Sequence, residues 1–436
     1  MTQESPVQLR IEKPIYGGAG LARHEGKAIF VPFALPGETV EASISSNHGS
    51  YANAELVNIL EPSFTRAEPA CPHYGVCGGC HYQHTTYQHQ VEIKSQILRE
   101  SLERARIADI PAISTLSCEP LAYRNRIRLH IDPRTSQLAY KRRSSNQNLI
   151  VTTCPIASPI VQTALHNIQS SAATLQLNKH FTEIELFTSP EQDSVLVSLF
   201  TSSAPKPSIN AFGSLWPQLQ AAIPHLTGAA LFSPAFSSVD KPRQPVKLLV
   251  HHGQPSLTYS AVGRDYRVSA GSFFQVNRFL IDPLVEYVTQ SASGSLAWDL
   301  YAGVGLFSAV LTSRFQQVIG VESALCSVHD LRHNLRGTPS RVVVSTTLDF
   351  LRRATPRQRP DFVVVDPPRA GLGKQVTTLL AAVRPAHITY VSCDPATLSR
   401  DLKSLLDSGY HLSSMCMVDL FPQTFHLESV ATLALK

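Results

Sequence analysis

The chain has 436 residues, enough for about three domains at roughly 150 residues each. With 43% hydrophobic and 16% charged residues it can bury sizeable cores, which excludes a disordered or fibrous chain; eight unevenly placed cysteines exclude a disulfide scaffold. Lys plus Arg (38) exceeds Asp plus Glu (33), a net +5 that hints at an anionic partner without demonstrating one.

The opening residues, MTQESPVQLRIEKP, lack the basic and apolar regions of a secretion signal, so a cytoplasmic location is expected. Residues 7–60 hold short alternating apolar runs (QLRIEKP, GKAIFVPF, ETVEASI, NAELVNIL) punctuated by Gly17, Gly18, Gly20, Gly26 and Pro36-Gly37. That pattern predicts a small β-barrel, which either binds single-stranded nucleic acid or only packs on its neighbours.

Residues 63–90 are rich in Cys and His, with Cys71, Cys77 and Cys80 inside ten residues, and such clustering favours a metal over disulfides. Spacing alone does not separate zinc from iron–sulfur. Closed sites of four thiolates commonly hold zinc, and three thiolates with one of His73, His81 or His84 is the other zinc arrangement. Residues 88–107 then place Val91, Ile97, Leu98 and Leu102 on one stripe of an amphipathic helix.

From about 121 to 260 strand-like pieces dominate (YRNRIRLHID, TEIELFT, DSVLVSLFT, VKLLVHH), and the Ser/Pro/Ala-rich residues 201–245 read as a loop-heavy excursion. The window Leu121–Arg143 holds seven basic residues against one acid, Asp132. Arg124, Arg126 and Arg128 alternate along a strand and share one face, which suits a phosphate track; a charge-protected edge strand is the bland alternative.

From about 265 strand and helix alternate (LAWDL, LFSAVLTSRF, QVIGVE, FVVVDPP, HITYVSCDP, VATLALK), the rhythm of a doubly wound α/β sheet. Residues 295–312 are nearly uncharged, but Asp299 and two glycines interrupt them, so strand, loop and helix start explain the run better than a membrane span. Ligands of such sheets sit outside the carboxyl ends of the strands.

The first of these ends reads Asp299-Leu-Tyr-Ala-Gly303-Val-Gly305, and the next strand closes on Glu322, placed to bond a ribose diol. Ser308 replaces the third glycine of the dinucleotide fingerprint, which with Asp299 favours S-adenosylmethionine (SAM) over a nicotinamide. A later strand ends in Asp366-Pro367-Pro368-Arg369, a rigid turn aiming a carboxylate into the crevice, and the next in Ser392-Cys393-Asp394-Pro395, putting a thiol on the same rim. His426-Leu427-Glu428-Ser429 adds a candidate general base. Singly, these are an ordinary turn, a small buried cysteine and a solvated glutamate. Together they fit methylation of a pyrimidine at C5, in which a thiolate adds at C6, C5 takes the methyl group and a base removes the C5 proton.

Through DLYAGVG, VDPPRAGLG, YVSCDPATLSRD and FHLESV, with SFFQVN at 272–277, the chain resembles the SAM-dependent RNA uracil-5-methyltransferases over almost its whole length, most of all those of 23S rRNA. The resemblance implies an α/β fold: a TRAM-like, OB-like RNA-binding barrel (1–62), a β-rich central iron–sulfur and RNA-binding domain (63–262) whose 88–107 helix packs on the catalytic part, and a Rossmann-like class I methyltransferase domain (263–436). It implies Cys393 as nucleophile, Glu428 as the base, Asp366 as a contact to both SAM and uracil, and Gln275, Tyr301 and Glu322 as SAM contacts. Cys71, Cys77, Cys80 and Cys154, which precedes Pro155, would hold a [4Fe-4S] cluster with the histidines as bystanders. The expected partner is RNA, 23S rRNA first, with the uridine flipped or unpaired; no membrane partner and a monomer are expected.

Asp394 stands where the family more often has Asn, and Ala302 and Leu427 also depart from the commonest choices. The competing readings are a transfer RNA uracil-5-methyltransferase, an amino-methyltransferase using the acid-Pro-Pro turn without Cys393 or Glu428, a nicotinamide oxidoreductase, and a non-catalytic RNA-binding iron–sulfur protein.

Overall fold

The computed structural model describes residues 5–201, 205–233, 247–354 and 358–436. At the N-terminus the strands Val7–Pro14, Ala19–His24, Lys27–Pro32, Thr39–Asn47 and Tyr51–Glu61 close into a barrel. Alternate residues point inward, so Leu9, Ile11, Ile29, Val31 and Val40 fill the barrel while their neighbours face out. Buried Glu38 ties the barrel to the next segment: its carboxylate accepts from Arg66 Nε and Nη2, both at 2.7 Å, and from the amides of Leu35 and Ser63.

A sheet of seven strands forms the middle, in the spatial order 248–253, 226–232, 195–201, 181–188, 126–131, 138–141 and 148–150. The expected excursion at 201–245 is corrected here. Pro205–Ala222 is a helix burying Phe212, Leu215 and Leu219, and Leu226–Phe232 is a strand of the sheet; residues 202–204 and 234–245 lie outside the described residues. Pro217 sits on the helix's exposed side, so the proline there did not mark a break.

The expected phosphate track on the Arg126–Ile131 strand is also corrected. That strand lies inside the sheet, beside Phe181–Thr188, whose Glu183 and Glu185 face the arginines. Arg128 Nε donates to Glu183 at 2.7 Å and its guanidinium lies over Phe200; Arg126 is 11% exposed, lies 3.9 Å from the Phe187 ring centroid and donates to the Ser272 carbonyl at 2.6 Å. Acids one strand away, invisible in a local charge count, have absorbed Arg126 and Arg128, while Arg124 precedes the strand and lines the cysteine cavity.

In the C-terminal sheet five parallel strands, 340–344, 315–322, 294–300, 362–365 and 387–392, are followed by the antiparallel pair 428–435 and 410–418. Ile113–Leu116, from far upstream, adds an eighth strand parallel to Tyr410–Val418. The helix Tyr87–Arg104 packs its Val91, Ile97, Leu98 and Leu102 into the same core as Trp298, Val363, Tyr390 and Leu398. Lys94 of that helix is fully buried and pairs with Asp419 at 2.6 Å. Among the described residues no helix is long and apolar enough to cross a membrane; 295–312 resolves into strand, loop and the helix Leu306–Leu311.

Candidate active site

Strand order reverses between Gly294–Leu300 and Phe362–Val365, and a doubly wound sheet opens its ligand crevice there. Leu300 pairs with Val365, so Tyr301 and Asp366 leave the sheet at the same level. Tyr301 has φ of 80°, a strained conformation for a bulky residue, and its amide bonds the Val321 carbonyl at 3.1 Å. Gly303, with φ of 55°, faces open space in which an added Cβ would meet nothing within 4 Å, so the backbone leaves room for a ligand. Glu322 receives the amides of Gly303 at 2.8 Å, Ser323 at 2.6 Å and Ala324 at 2.7 Å, which fix its carboxylate at the mouth of the loop.

Asp299 is fully buried; one oxygen accepts from the amide and hydroxyl of Ser308 and the other has no partner among the described residues. Ser308, at the position of the missing third glycine, therefore anchors this acid. Burial pushes Asp299 up to about 7 against those bonds. Asp366 is likewise raised to about 7, first by burial and then by the Asp299 charge.

The segment 270–277 carries Gln275, which is buried, and is held from two sides. Asp330 accepts from the hydroxyls of Ser269 at 2.6 Å and Ser272 at 2.7 Å, while Asn125 donates to the Gln275 carbonyl at 3.1 Å and Arg126 to that of Ser272.

Cys393 follows the strand His387–Ser392, and Glu428 opens the antiparallel strand beside it. Ser392 pairs with Ser429, so the next step of the ladder faces Cys393 with Glu428. Burial holds the thiol up at about 11, reinforced by the charges of Glu428 and Asp366 and opposed by Arg369. Glu428 is raised well above the ordinary carboxylate range by burial and then by Asp366, and its Oε1 has no partner among the described residues. A buried acid with an unused oxygen beside a thiol can exchange a proton with a bound ligand.

Three neighbours were not assigned roles from sequence. Arg369 of the acid-Pro-Pro turn contacts the His426 ring at 3.3 Å, and burial, then Arg369, holds His426 down at about 3. Tyr16, from the barrel, donates to the Cys393 carbonyl at 3.4 Å. Asp394 caps the helix Pro395–Asp407, accepting from the amides of Ala396 at 3.0 Å and Thr397 at 2.9 Å. Asn caps equally well, so this departure keeps the local geometry.

Cys71, Cys77, Cys80 and Cys154 line a single cavity of about 310 Å³, with His73 and Arg124 also in its wall. Among the described residues no group of three or more His, Cys, Asp or Glu side chains is arranged to hold a metal ion. Four thiols around one cavity are a donor set that fits either an iron–sulfur cluster or zinc. Burial raises the Cys80 thiol to about 12, with the other three thiols adding to it. His84 bonds Tyr74 Oη, and His81 lies outside the cavity wall.

Residues 357–436 match the family described as tRNA (Uracil-5-)-methyltransferase, and residues 5–57 match the TRAM domain. The chain is 31% identical to an uncharacterized RNA methyltransferase of Aquifex aeolicus, covering 100% of both chains. It is also 31% identical to the 23S rRNA (uracil(1939)-C(5))-methyltransferase RlmD of Vibrio parahaemolyticus, over 99% of this chain and 96% of that one. Among solved structures, the Pyrococcus abyssi tRNA (uracil-54, C5)-methyltransferase bound to S-adenosyl-L-homocysteine superposes with a TM-score of 0.77 at 23% identity, covering 98% of this chain and 99% of that chain.

Proposed function

The chain belongs to the SAM-dependent RNA uracil-5-methyltransferases, and from that premise we propose that it makes 5-methyluridine in 23S rRNA with Cys393 as nucleophile and Glu428 as base. The observation that carries this reading is the convergence of Cys393, Glu428 and Asp366 at neighbouring strand ends. The Cys393 thiolate adds to uracil C6, and the electron pair displaced to C5 forms the new bond to the methyl carbon as the S–CH3 bond breaks and S-adenosylhomocysteine leaves. Glu428 then takes the C5 proton, the C5–C6 double bond returns and Cys393 leaves as thiolate. SAM, when bound, supplies the methyl group and a sulfonium charge that favours the ionised forms of Cys393 and Glu428. Gln275, Tyr301, Glu322 and Asp366 are its proposed contacts; open space at Gly303 and the unpartnered oxygen of Asp299 support that cleft. Asp366 also borders the uracil side, next to Cys393 and Glu428.

Cys71, Cys77, Cys80 and Cys154 are the proposed ligands of a [4Fe-4S] cluster. Methyl transfer moves no net electron, so the cluster's role is to fix the knot. Knot residues hold the loop ahead of Glu428: the amides of His81 and Tyr82 both donate to the Gln423 carbonyl, at 2.7 and 3.0 Å. The division at 1–62, 63–262 and 263–436 stands as a proposal beside these.

Identity of 31% over nearly the full length to an enzyme named for 23S rRNA favours that substrate, while the fold shared with a transfer RNA enzyme keeps transfer RNA as the second reading. Mapping 5-methyluridine in both RNAs from a strain lacking the gene, then complemented with wild type or Cys393→Ala, tests both points. The proposal expects a 23S position lost on deletion, restored by wild type and not by the variant.

A further inference from the structure

A groove of about 220 Å³ separates the barrel from the cysteine knot, and the methyl-transfer chemistry makes no use of it. Phe30, Phe33 and Asn53 line it from the barrel, His81 and Arg143 from across, and Tyr16 at the end nearest the active site. The Arg143 guanidinium lies 4.6 Å from the Phe33 ring centroid, a cation laid on an aromatic face. Phe30 continues outward into a row of rings, with its centroid 5.6 Å from Tyr51, which in turn stacks on His48 at 4.8 Å.

Phe33 has φ of 64°, a left-handed conformation that few bulky residues adopt. It is enforced by Arg66, which donates to the Phe33 carbonyl at 2.9 Å while clamped on buried Glu38. The ring packs against Tyr74 at 5.3 Å on one side and lines the groove as well. Gly17 leaves part of the wall open, since an added Cβ would meet nothing within 4 Å, and the buried Nδ1 of His81 has no hydrogen-bond partner among the described residues.

The groove joins the catalytic rim through rings. Tyr16 and His81 both pack on Phe425, at 5.4 and 4.6 Å, and Phe425 packs on His426 at 4.3 Å. Tyr16 also bonds the Cys393 carbonyl. Aromatic faces with an arginine, opening beside the nucleophile, are what an unpaired nucleotide needs: π-surface for the base and a cation for the phosphate.

We propose that this groove is a subsite for one unpaired nucleotide of the RNA, a near neighbour of the target uridine, with its base against Phe33 and Phe30, its phosphate at Arg143, and Asn53 and His81 bonding the base edge. It rests on the reading of the chain as an RNA uracil-5-methyltransferase and adds a determinant of which uridine is chosen.

The test uses the full-length protein and an RNA stem-loop whose uridine the wild type methylates, made also as a series with single abasic nucleotides flanking that uridine. Wild type should lose about ten-fold in kcat/KM at one flanking position, the size of one base–aromatic stack. Phe33→Gly, which suits the left-handed backbone, and Arg143→Met, which keeps an aliphatic stack, should each lose about as much on intact RNA, through KM for RNA and not for SAM. Phe33→Gly should lose little more on the RNA abasic at that position, whereas Arg143→Met, whose phosphate that RNA keeps, should lose about as much as on intact RNA. Unchanged kinetics in both variants, or Phe33→Gly losses that simply multiply at every position, overturn the subsite. Turnover retained by Cys393→Ala would instead overturn the uracil chemistry, so the two failures are distinguishable.

Discussion

The Ser429 hydroxyl donates to the Ser392 carbonyl at 3.1 Å, and this bond pins the register that sets Glu428 opposite Cys393. The proposed nucleophile and base are thus fixed by a strand pair, a firmer support than a loop. Because the Glu428 charge is one cause of the thiol's rise to about 11, the two should titrate together.

Alkylation of Cys393 by iodoacetamide in the RNA-free protein is therefore expected to be slow at neutral pH and to climb toward a midpoint near 11. The raised value means the protonated thiol dominates below it. Glu428→Gln removes a nearby negative charge, so the midpoint should fall while methyl transfer is lost. Peptide mass spectrometry across a pH series reads both, and an unchanged or higher midpoint in the variant counts against the coupling.

The Lys94–Asp419 pair joins the helix Tyr87–Arg104 to the loop that leads to Glu428, with both side chains fully buried. Lys94→Met strands a buried carboxylate and is expected to cost about 3–5 kcal/mol in denaturant unfolding. Lys94→Met combined with Asp419→Leu should recover most of that loss. Equal loss in the single and double variants would show that the charge pairing is not what matters.

Arg126 was legible as a basic residue on a strand, but not as the clamp on Ser272, because its partner lies 146 positions away. Arg126→Met is expected to raise KM for SAM about ten-fold through a displaced 270–277 segment, the scale of one charge-assisted hydrogen bond. The salt dependence of RNA binding should stay as in wild type. A reduced salt slope would restore the phosphate-track reading.

The reach of the sequence follows the same division. Strand-end motifs are local, so Asp299, Glu322, Asp366 and Cys393 could be placed on one rim from their strands alone. Alternation likewise announced the barrel. Ile113–Leu116 could not be assigned to the C-terminal sheet, since four residues carry too little pattern and their partner lies some 300 positions on. The Pro205–Ala222 helix was hidden by Pro207, Ser214 and Pro217 on its exposed face, although Phe212, Leu215 and Leu219 keep helical spacing. Tyr16 and Arg143 became visible only when the barrel was seated against the other two parts.

Cys154 closes the cysteine cavity from the loop after the Asn148–Ile150 strand. Protein purified without oxygen is expected to carry iron and sulfide in equal amounts with a broad visible absorption, and Cys154→Ser to lose most of both. As the knot holds the Gln423 carbonyl, the variant should lose kcat more than SAM affinity. One zinc per chain and no colour would favour the zinc site instead.

The account stands most directly on the covalent step. Glu428→Gln, incubated with SAM and the RNA stem-loop, should stall after methylation because the C5 proton has no acceptor, leaving RNA bonded to the protein. Intact-mass and peptide measurements should find methylated RNA attached at Cys393, and Cys393→Ala should abolish the adduct. No adduct in Glu428→Gln, or one that survives loss of the Cys393 thiol, would contradict the mechanism.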